Sequence, residues 1–296
     1  MQNKKSKLKK SSPFEIILII VLAILALITI YPFYNVVIVS LSNTQASATY
    51  SPYFYPHVFD LTGYKTIMQD PYFFKSLNTT VFVTVVGTAV NMFLSVTASY
   101  VLSKKRLLGR NFFLGMILFT MLFSGGMIPT YLVVKNFGLT NNVWAMILPC
   151  ALNTYYLIIM KNYFTTFPIS LEEAAKIDGA NEFTILFRIY VPISAPFIAT
   201  FSLFYAVERW NEWWNALLYI NQKSLAPLQI YLRDVLVSFN NQLATQAQSM
   251  LGSQGKVHVQ SIQMATIVIA TVPILCVYPF LQKYFVKGVM VGSIKE

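Results

Sequence analysis

Ionisable side chains are scarce in this chain. Of its 296 residues two are histidine, two cysteine and eleven Asp or Glu, and charged residues make up 11%. His57 and His258 lie in segments between apolar runs, and Cys150 and Cys276 lie inside apolar runs without C-x-x-C spacing. This excludes the common metal-ligand sets and a disulfide framework. So few groups also supply no nucleophile, base and orienting partner for covalent catalysis, which disfavours an intramembrane enzyme. A phosphate loop is missing too. The sole Gly-Lys pair, Gly255-Lys256, has neither the upstream glycine nor the following hydroxyl of G-x-x-x-x-G-K-[ST], so ATP is not bound by that route.

What is abundant is apolar surface. Apolar residues form 56% of the chain and mean hydropathy is +0.57, the composition of a protein that crosses a bilayer several times. Spanning takes roughly 20 apolar residues. Six runs qualify: Phe14 to Val39, Ser76 to Leu102, Asn111 to Val134, Val143 to Met160, Pro192 to Leu218 and Ile262 to Leu281. The first follows a lysine-rich start but is too long for a signal-peptide core, so it is read as a retained span. The expected architecture is all-α with six transmembrane helices. It comprises a basic tail over 1–13, a membrane domain over 14–286 with an inner loop over 161–191 and an outer loop over 219–260, and a tail over 287–296.

Charge sets the orientation. With the amino terminus inside, only Lys65, Lys75, Lys135, Arg209, Lys223, Arg233 and Lys256 of the 22 Lys and Arg fall outside. The positive-inside rule then places both termini in the cytoplasm. The net charge of +11 is thus a topology signal, and no basic patch interleaved with aromatics points to nucleic acid. Apart from Glu15 and the cluster Glu208, Arg209 and Glu212, the spans hold no ionisable residue, which argues against an ion-coupled secondary transporter. An energy source outside the membrane is the better expectation.

The inner loop carries the most distinctive local pattern. Ser170 and Glu173 stand in the S-x-x-E relation of a capping box, and Gly179 is placed to stop a short helix. Ala174 and Ala175 let another surface approach, while Glu172, Glu173, Lys176 and Asp178 offer charge. Such a helix suits docking in a groove. In the second run, Thr80, Thr84, Thr88, Asn91, Ser95 and Ser99 recur every three or four residues and share one helix face. That stripe serves helix packing or lines a solute path. Asn153, Thr154, Tyr155 and Tyr156 carry the same ambiguity. Trp210, Trp213 and Trp214 suit an interfacial belt, yet Asn211, Glu212 and Asn215 alternate with them, a combination of stacking faces and hydrogen-bonding groups that fits a sugar. Gly125, Gly126 and Pro129 predict a local kink in the third run.

The segment Glu173-Ala174-Ala175, three residues, Gly179, nine residues, Ile189-x-Val191-Pro192 resembles the EAA signature of binding-protein-dependent ABC importer permeases, with Val191 in place of leucine. Four further stretches are similar to the carbohydrate branch of that family, its LplC and YtcP type and more distantly the maltose permease type. They are Ser124 to Tyr131, Phe137 to Asn142, Trp210 to Asn215, and Phe285 through Gly292 to Lys295. The resemblance implies a type I ABC importer permease fold and a heterodimer with a second permease subunit. It also implies two cytoplasmic ATPase subunits that bind ATP and Mg, and an extracytoplasmic solute-binding lipoprotein that delivers an oligosaccharide. This chain itself would bind no cofactor. Carried over residue by residue, Glu172, Glu173, Ala174, Ala175, Asp178 and Gly179 would form the ATPase-coupling helix, with Glu173 as polar contact and the two alanines as the packed face. The tail from Gly288 to Glu296 would reach the ATPase interface. Substrate-path candidates are Asn91, Asn153, Tyr156, Trp210, Asn211, Trp214 and Asn215; a non-sugar solute of the same family is the alternative cargo.

Overall fold

Helices make up nearly all regular structure in the computed structural model, which describes residues 13–43, 54–56, 58–237 and 260–276; among these the single β feature is the isolated bridge between Ser42 and Phe59. The described residues fall into two compact units, 13–69 with 260–269, and 70–237 with 270–276.

In the first unit, α1 (Pro13–Ser40) is apolar on every face and buries only Ile38, Val39 and Ser40. A helix that is apolar all round has no aqueous face to present, which suits lipid. Thr29 satisfies its hydroxyl within the helix by donating to the carbonyls of Leu25 and Ala26 at 2.8 and 2.9 Å. Beyond α1, Asp60 accepts from the Thr62 amide at 2.8 Å and so starts α2 (Thr62–Gln69). Gly63 lies flat against the chain at Ser261, where an added Cβ would come within 3.0 Å of a backbone carbonyl. Only glycine permits that approach.

The second unit is built on α3 (Pro71–Ser103). Asp70 caps it by accepting from the Tyr72 amide, with Pro71 in the first turn where its missing N–H costs nothing. Then follow α4 (Arg110–Leu122), α5 (Met127–Asn136), a 3₁₀ stretch over Val143–Cys150, α6 (Thr154–Thr165), α7 (Ile169–Ile177), α8 (Glu182–Ile193), α9 (Ala195–Trp210), α10 (Trp214–Tyr219) and α11 over 228–237. An apolar helix, α12 (Gln260–Cys276), contributes to both units. Helices α6 and α9 pack along α3. On their inner flank Val96, Tyr100, Met160, Phe164, Tyr190, Phe201 and Tyr205 form a buried cluster rich in rings, with Tyr163 stacked on Phe197 at 3.9 Å between centroids. Aromatic side chains bury large areas at little entropic cost and dominate such a core.

Among the described residues, helices α1 and α3 are each long and apolar enough to cross a membrane, and three bent pairs raise the number of candidate spans to five; α12 is apolar over its described residues. The bends correct the straight runs expected from sequence. The run from Asn111 to Val134 turns by 117° between α4 and α5, far more than a kink. Its cause lies in Gly126, whose φ of 90° a side chain would resist, following an extended stretch at 123–125. The run from Val143 to Met160 begins as 3₁₀ turns and bends 50° before α6, and α8 meets α9 at 88°. α8 also contains a π-helical turn over Leu186–Tyr190. The tail from Gly288 to Glu296 and the stretch from Asn240 to Gln254 lie outside the described residues.

Candidate functional site

Two regions of the second unit hold the sequence-predicted residues. The first is α7. It does not start with a capping box. Pro168 takes the N-cap position, its carbonyl accepts from the Leu171 amide at 3.2 Å, and Ser170 already lies inside the helix. Proline's fixed φ starts the turn, so a side-chain cap from Ser170 has no place to act. The far end is closed as expected. Gly179 is left-handed at φ 78°, its amide reaches the Lys176 carbonyl at 3.0 Å, and the Ala180 amide reaches Ala175 at 2.9 Å. This pair of bonds is a Schellman closure, with Ala180 and Ala175 meeting beneath it.

The faces of α7 differ in what they touch. Ala175 is buried in the aromatic cluster with Ile185, Leu186 and Tyr190. Glu172 turns back onto its own chain, paired with Lys104 at the end of α3 and with Lys176 at 2.7 Å; Lys176 also meets Glu182 at 2.8 Å. The Tyr100 hydroxyl donates to Glu182 at 2.6 Å, and the Lys104 ammonium lies 3.9 Å from the Tyr100 ring centroid and 4.8 Å from that of Tyr190. The result is a clamp of two carboxylates and two lysines over two rings. Burial pushes the Glu172 carboxyl up, but the hydrogen bonds and charges of Lys104 and Lys176 outweigh it and hold the group below its ordinary 4.5. Hydrogen bonds from Lys176 and Tyr100 likewise lower Glu182, and those to Glu172 and Glu182 raise Lys176. Exposed on the other side are Glu173, Ala174, Asp178 and Gly179, with Ile177 86% accessible.

The second region lies along the polar stripe of α3, which faces protein. At one end the Thr80 hydroxyl accepts from the Leu228 amide at 2.7 Å; at the other Ser95 bonds the Tyr205 hydroxyl at 2.7 Å and Ser99 donates to the Leu157 carbonyl at 3.1 Å. Between them the hydroxyls of Thr84 and Thr88 and both amide atoms of Asn91, which is 0% exposed, are buried without a partner. Gly87 in the same stretch leaves room for Arg209, whose Cδ would lie 2.9 Å from an added Cβ. Arg209, 4% exposed, crosses α3 there. It donates to the carbonyls of Met146 at 2.7 Å and Cys150 at 3.2 Å and pairs with Glu212 at 3.5 Å. These carbonyls end the 3₁₀ stretch before the break, so Arg209 replaces hydrogen bonds that the broken helix lost. Glu212 also accepts from the Asn215 amide and side chain, both at 3.0 Å. One turn earlier, Glu208 accepts from the Tyr156 hydroxyl at 2.7 Å.

No family model matches the chain. It is 46% identical to protein LplC of Bacillus subtilis over 287 residues, 97% of this chain and 96% of LplC. To the polygalacturonan/rhamnogalacturonan transport system permease protein YtcP of the same organism it is 45% identical over 286 residues, 97% of this chain and 99% of that one. Among solved structures, a chain of a bacterial ABC transporter involved in import of the acidic polysaccharide alginate matches with a TM-score of 0.84 and 34% identity, over 94% of this chain and 99% of that chain. The chain belongs to the carbohydrate ABC transporter permeases.

Within this permease the EAA segment is α7, and its residues divide by face. Glu173, Ala174, Asp178 and Gly179 share the exposed side. Ala175 and Glu172 are engaged within the chain and fasten the helix to α3 and α8. The path candidates divide as well. Asn153 caps α6, accepting from the amides of Tyr155 and Tyr156 at 3.0 and 3.3 Å. Trp210 donates to the Ala270 carbonyl at 3.0 Å, Asn211 is bonded to the Val207 carbonyl and to Gln229, and Asn215 is held by Glu212. Trp214 is exposed against Trp213, rings at 80°. Three of the seven are brought to the α3–α9 seam: Asn91 on α3, Asn153 through its amide, which donates to the Tyr205 hydroxyl at 3.2 Å, and Tyr156 against Phe201, Phe204 and Tyr205. Sequence reading missed the clamp partners Lys104, Tyr100 and Glu182. The one available signal was Tyr100 one helical turn before Lys104.

Proposed function

We propose that this permease is one of two different membrane subunits of an ATP-driven importer, and that its cargo is an oligosaccharide handed over by an extracytoplasmic binding protein. The likeness to LplC and YtcP over 97% of the chain, with the EAA segment present but for Val191 in place of leucine, carries this reading. YtcP is named for polygalacturonan and rhamnogalacturonan transport, and the acidic-polysaccharide importer is a further relative at 34% identity. The chain itself performs no hydrolysis; ATP and Mg belong to a pair of cytoplasmic ATPase subunits. Six spans with both termini in the cytoplasm of a bacterial plasma membrane put α7 on the ATPase side.

The mechanism follows from how α7 is attached. A helix clamped to α3 and seated in the aromatic cluster transmits displacement instead of absorbing it, because packed interiors deform little. Closure of the ATPase pair would push on Glu173, Ala174 and Asp178. The push would pass through α8 and its bend into α9, and the cavity would exchange inward-facing for outward-facing access. Uptake of labelled oligosaccharide by cells expressing both permeases, with and without the ATPase, tests this. Uptake should vanish without the ATPase, and uptake that persists on an ion gradient alone would overturn the reading.

A further inference from the structure

Glu208 stands apart from the other charges of the apolar segments. Its neighbour Arg209 is matched by Glu212 and bonded to two carbonyls, whereas Glu208 is half-buried and its single hydrogen bond among the described residues comes from Tyr156. One carboxylate oxygen therefore has no donor among the described residues. Its depth matters. Tyr156 precedes the end of α6 at Thr165 by nine residues and Glu208 follows the start of α9 at Ala195 by thirteen, so they lie about 14 and 20 Å from the side that bears α7, near the middle of a roughly 30 Å apolar core. An unmatched carboxylate at that depth cannot face lipid and belongs on a water-filled path. Tyr156 brings its ring beside it, and the ring of Tyr155, 57% exposed, lies 6.1 Å from that of Tyr156. Rings next to an acceptor-only group are the pairing that binds a pyranose through its C–H face and its hydroxyls.

We propose that Glu208, oriented by Tyr156, is a substrate contact of this chain that accepts hydrogen bonds from hydroxyls of an uncharged sugar unit and turns away uronate units by like-charge repulsion. The proposal rests on the importer reading and names the substrate class at its path. At an effective dielectric constant between that of water and about 20, as for a wetted path, two carboxylates a few ångströms apart repel strongly enough to shift affinity by about tenfold to a hundredfold.

The test uses the assembled transporter in proteoliposomes, with Tyr155→Cys as a reporter for a small charged methanethiosulfonate reagent and the unaltered chain, bearing Cys150 and Cys276, as background. Xylotetraose supplied as free sugar should slow labelling of the reporter, and tetragalacturonate should need at least about ten times the concentration. Adding Glu208→Gln should remove that difference. A reporter no more reactive than background, protection by neither sugar, or a preference unchanged by Glu208→Gln would each overturn the proposal. Failure of the importer reading is read separately, as uptake that does not need the ATPase.

Discussion

Removing the charge of Glu172 should loosen α7 from the body of the permease without unfolding the body. Glu172 and Lys104 are 17% and 20% exposed, so their bond is shielded and falls in the range of about 1.5–3 kcal/mol for a hydrogen bond to a charged group. The bond to Lys176, 44% exposed, adds only about 0.3–0.5 kcal/mol, as for a solvated i,i+4 pair. Together they hold α7 closed by about 2–3 kcal/mol, which is a factor of roughly 30 to 150 in the open population at 1.4 kcal/mol per decade. In Glu172→Gln, native-state hydrogen exchange of the amides from Ala174 to Ala180 should accelerate by that factor while the amides of α6 keep their rates. ATP turnover should then outrun sugar uptake, because a loosened helix yields to the ATPase instead of moving α9. Lys104→Met alone should have a similar effect, and the double variant should cost less than the sum of the two by at least 1 kcal/mol. Additivity within about 0.5 kcal/mol would refute the clamp.

Acid should reproduce part of this effect. Glu172 and Glu182 are held below their ordinary 4.5, so their contribution is complete above that value and is lost as pH falls through the lowered one; Lys176 is raised above 10.5, so its contribution is kept below 10.5 and lost above it. The stability difference between the unaltered chain and Glu172→Gln, read by thermal unfolding, should be flat between pH 5 and 10 and shrink below about pH 4. Gly179 tests the helix end by backbone alone, since an added Cβ meets nothing within 4 Å. Gly179→Asn should be tolerated and Gly179→Ala should cost about 1–2 kcal/mol by hydrogen exchange, while transport lost in a variant of unchanged exchange would locate a partner at that side chain. Asn91→Leu removes two unpaired buried polar atoms and keeps volume, so the unfolding temperature should hold or rise. A marked fall would mean that the amide is bonded after all.

Local signals read well where one segment decides them. Gly179 as a stop, the stripe on α3, and the apolar extents of α1 and α3 all follow from spacing and composition, and each is where the sequence put it. Signals that need a second segment read poorly. Ser170 and Glu173 have the spacing of a capping box, but Pro168 had already started the helix. Glu172 looked free to dock because Lys104 is 68 residues away in sequence. For Asn153 and Asn215, read as path residues, the structure adds a helix cap and a carboxylate clasp, which use the same amide chemistry as a sugar contact. The 117° turn after α4 was underestimated because a Gly-Gly pair allows any angle, and only packing selects one.

The first helix carries a consequence for how the protein is made. From residue 16 to 30 every position of α1 is exposed, so that stretch emerges from the ribosome with no partner to await, among the described residues, outside its own helix. Its main chain is satisfied internally, which is enough to let it enter lipid as an independent unit before the rest is synthesised. Toward its end Tyr31 meets the Phe54 ring, Tyr34 donates to the Phe54 carbonyl and Ser40 bonds the Tyr64 hydroxyl at 2.8 Å, and these contacts tie it to later sequence. Exchanging residues 16 to 30 for another apolar helix of equal length should therefore leave biogenesis of the remaining chain intact, and identity along that stretch is free to be set by whatever touches it from outside.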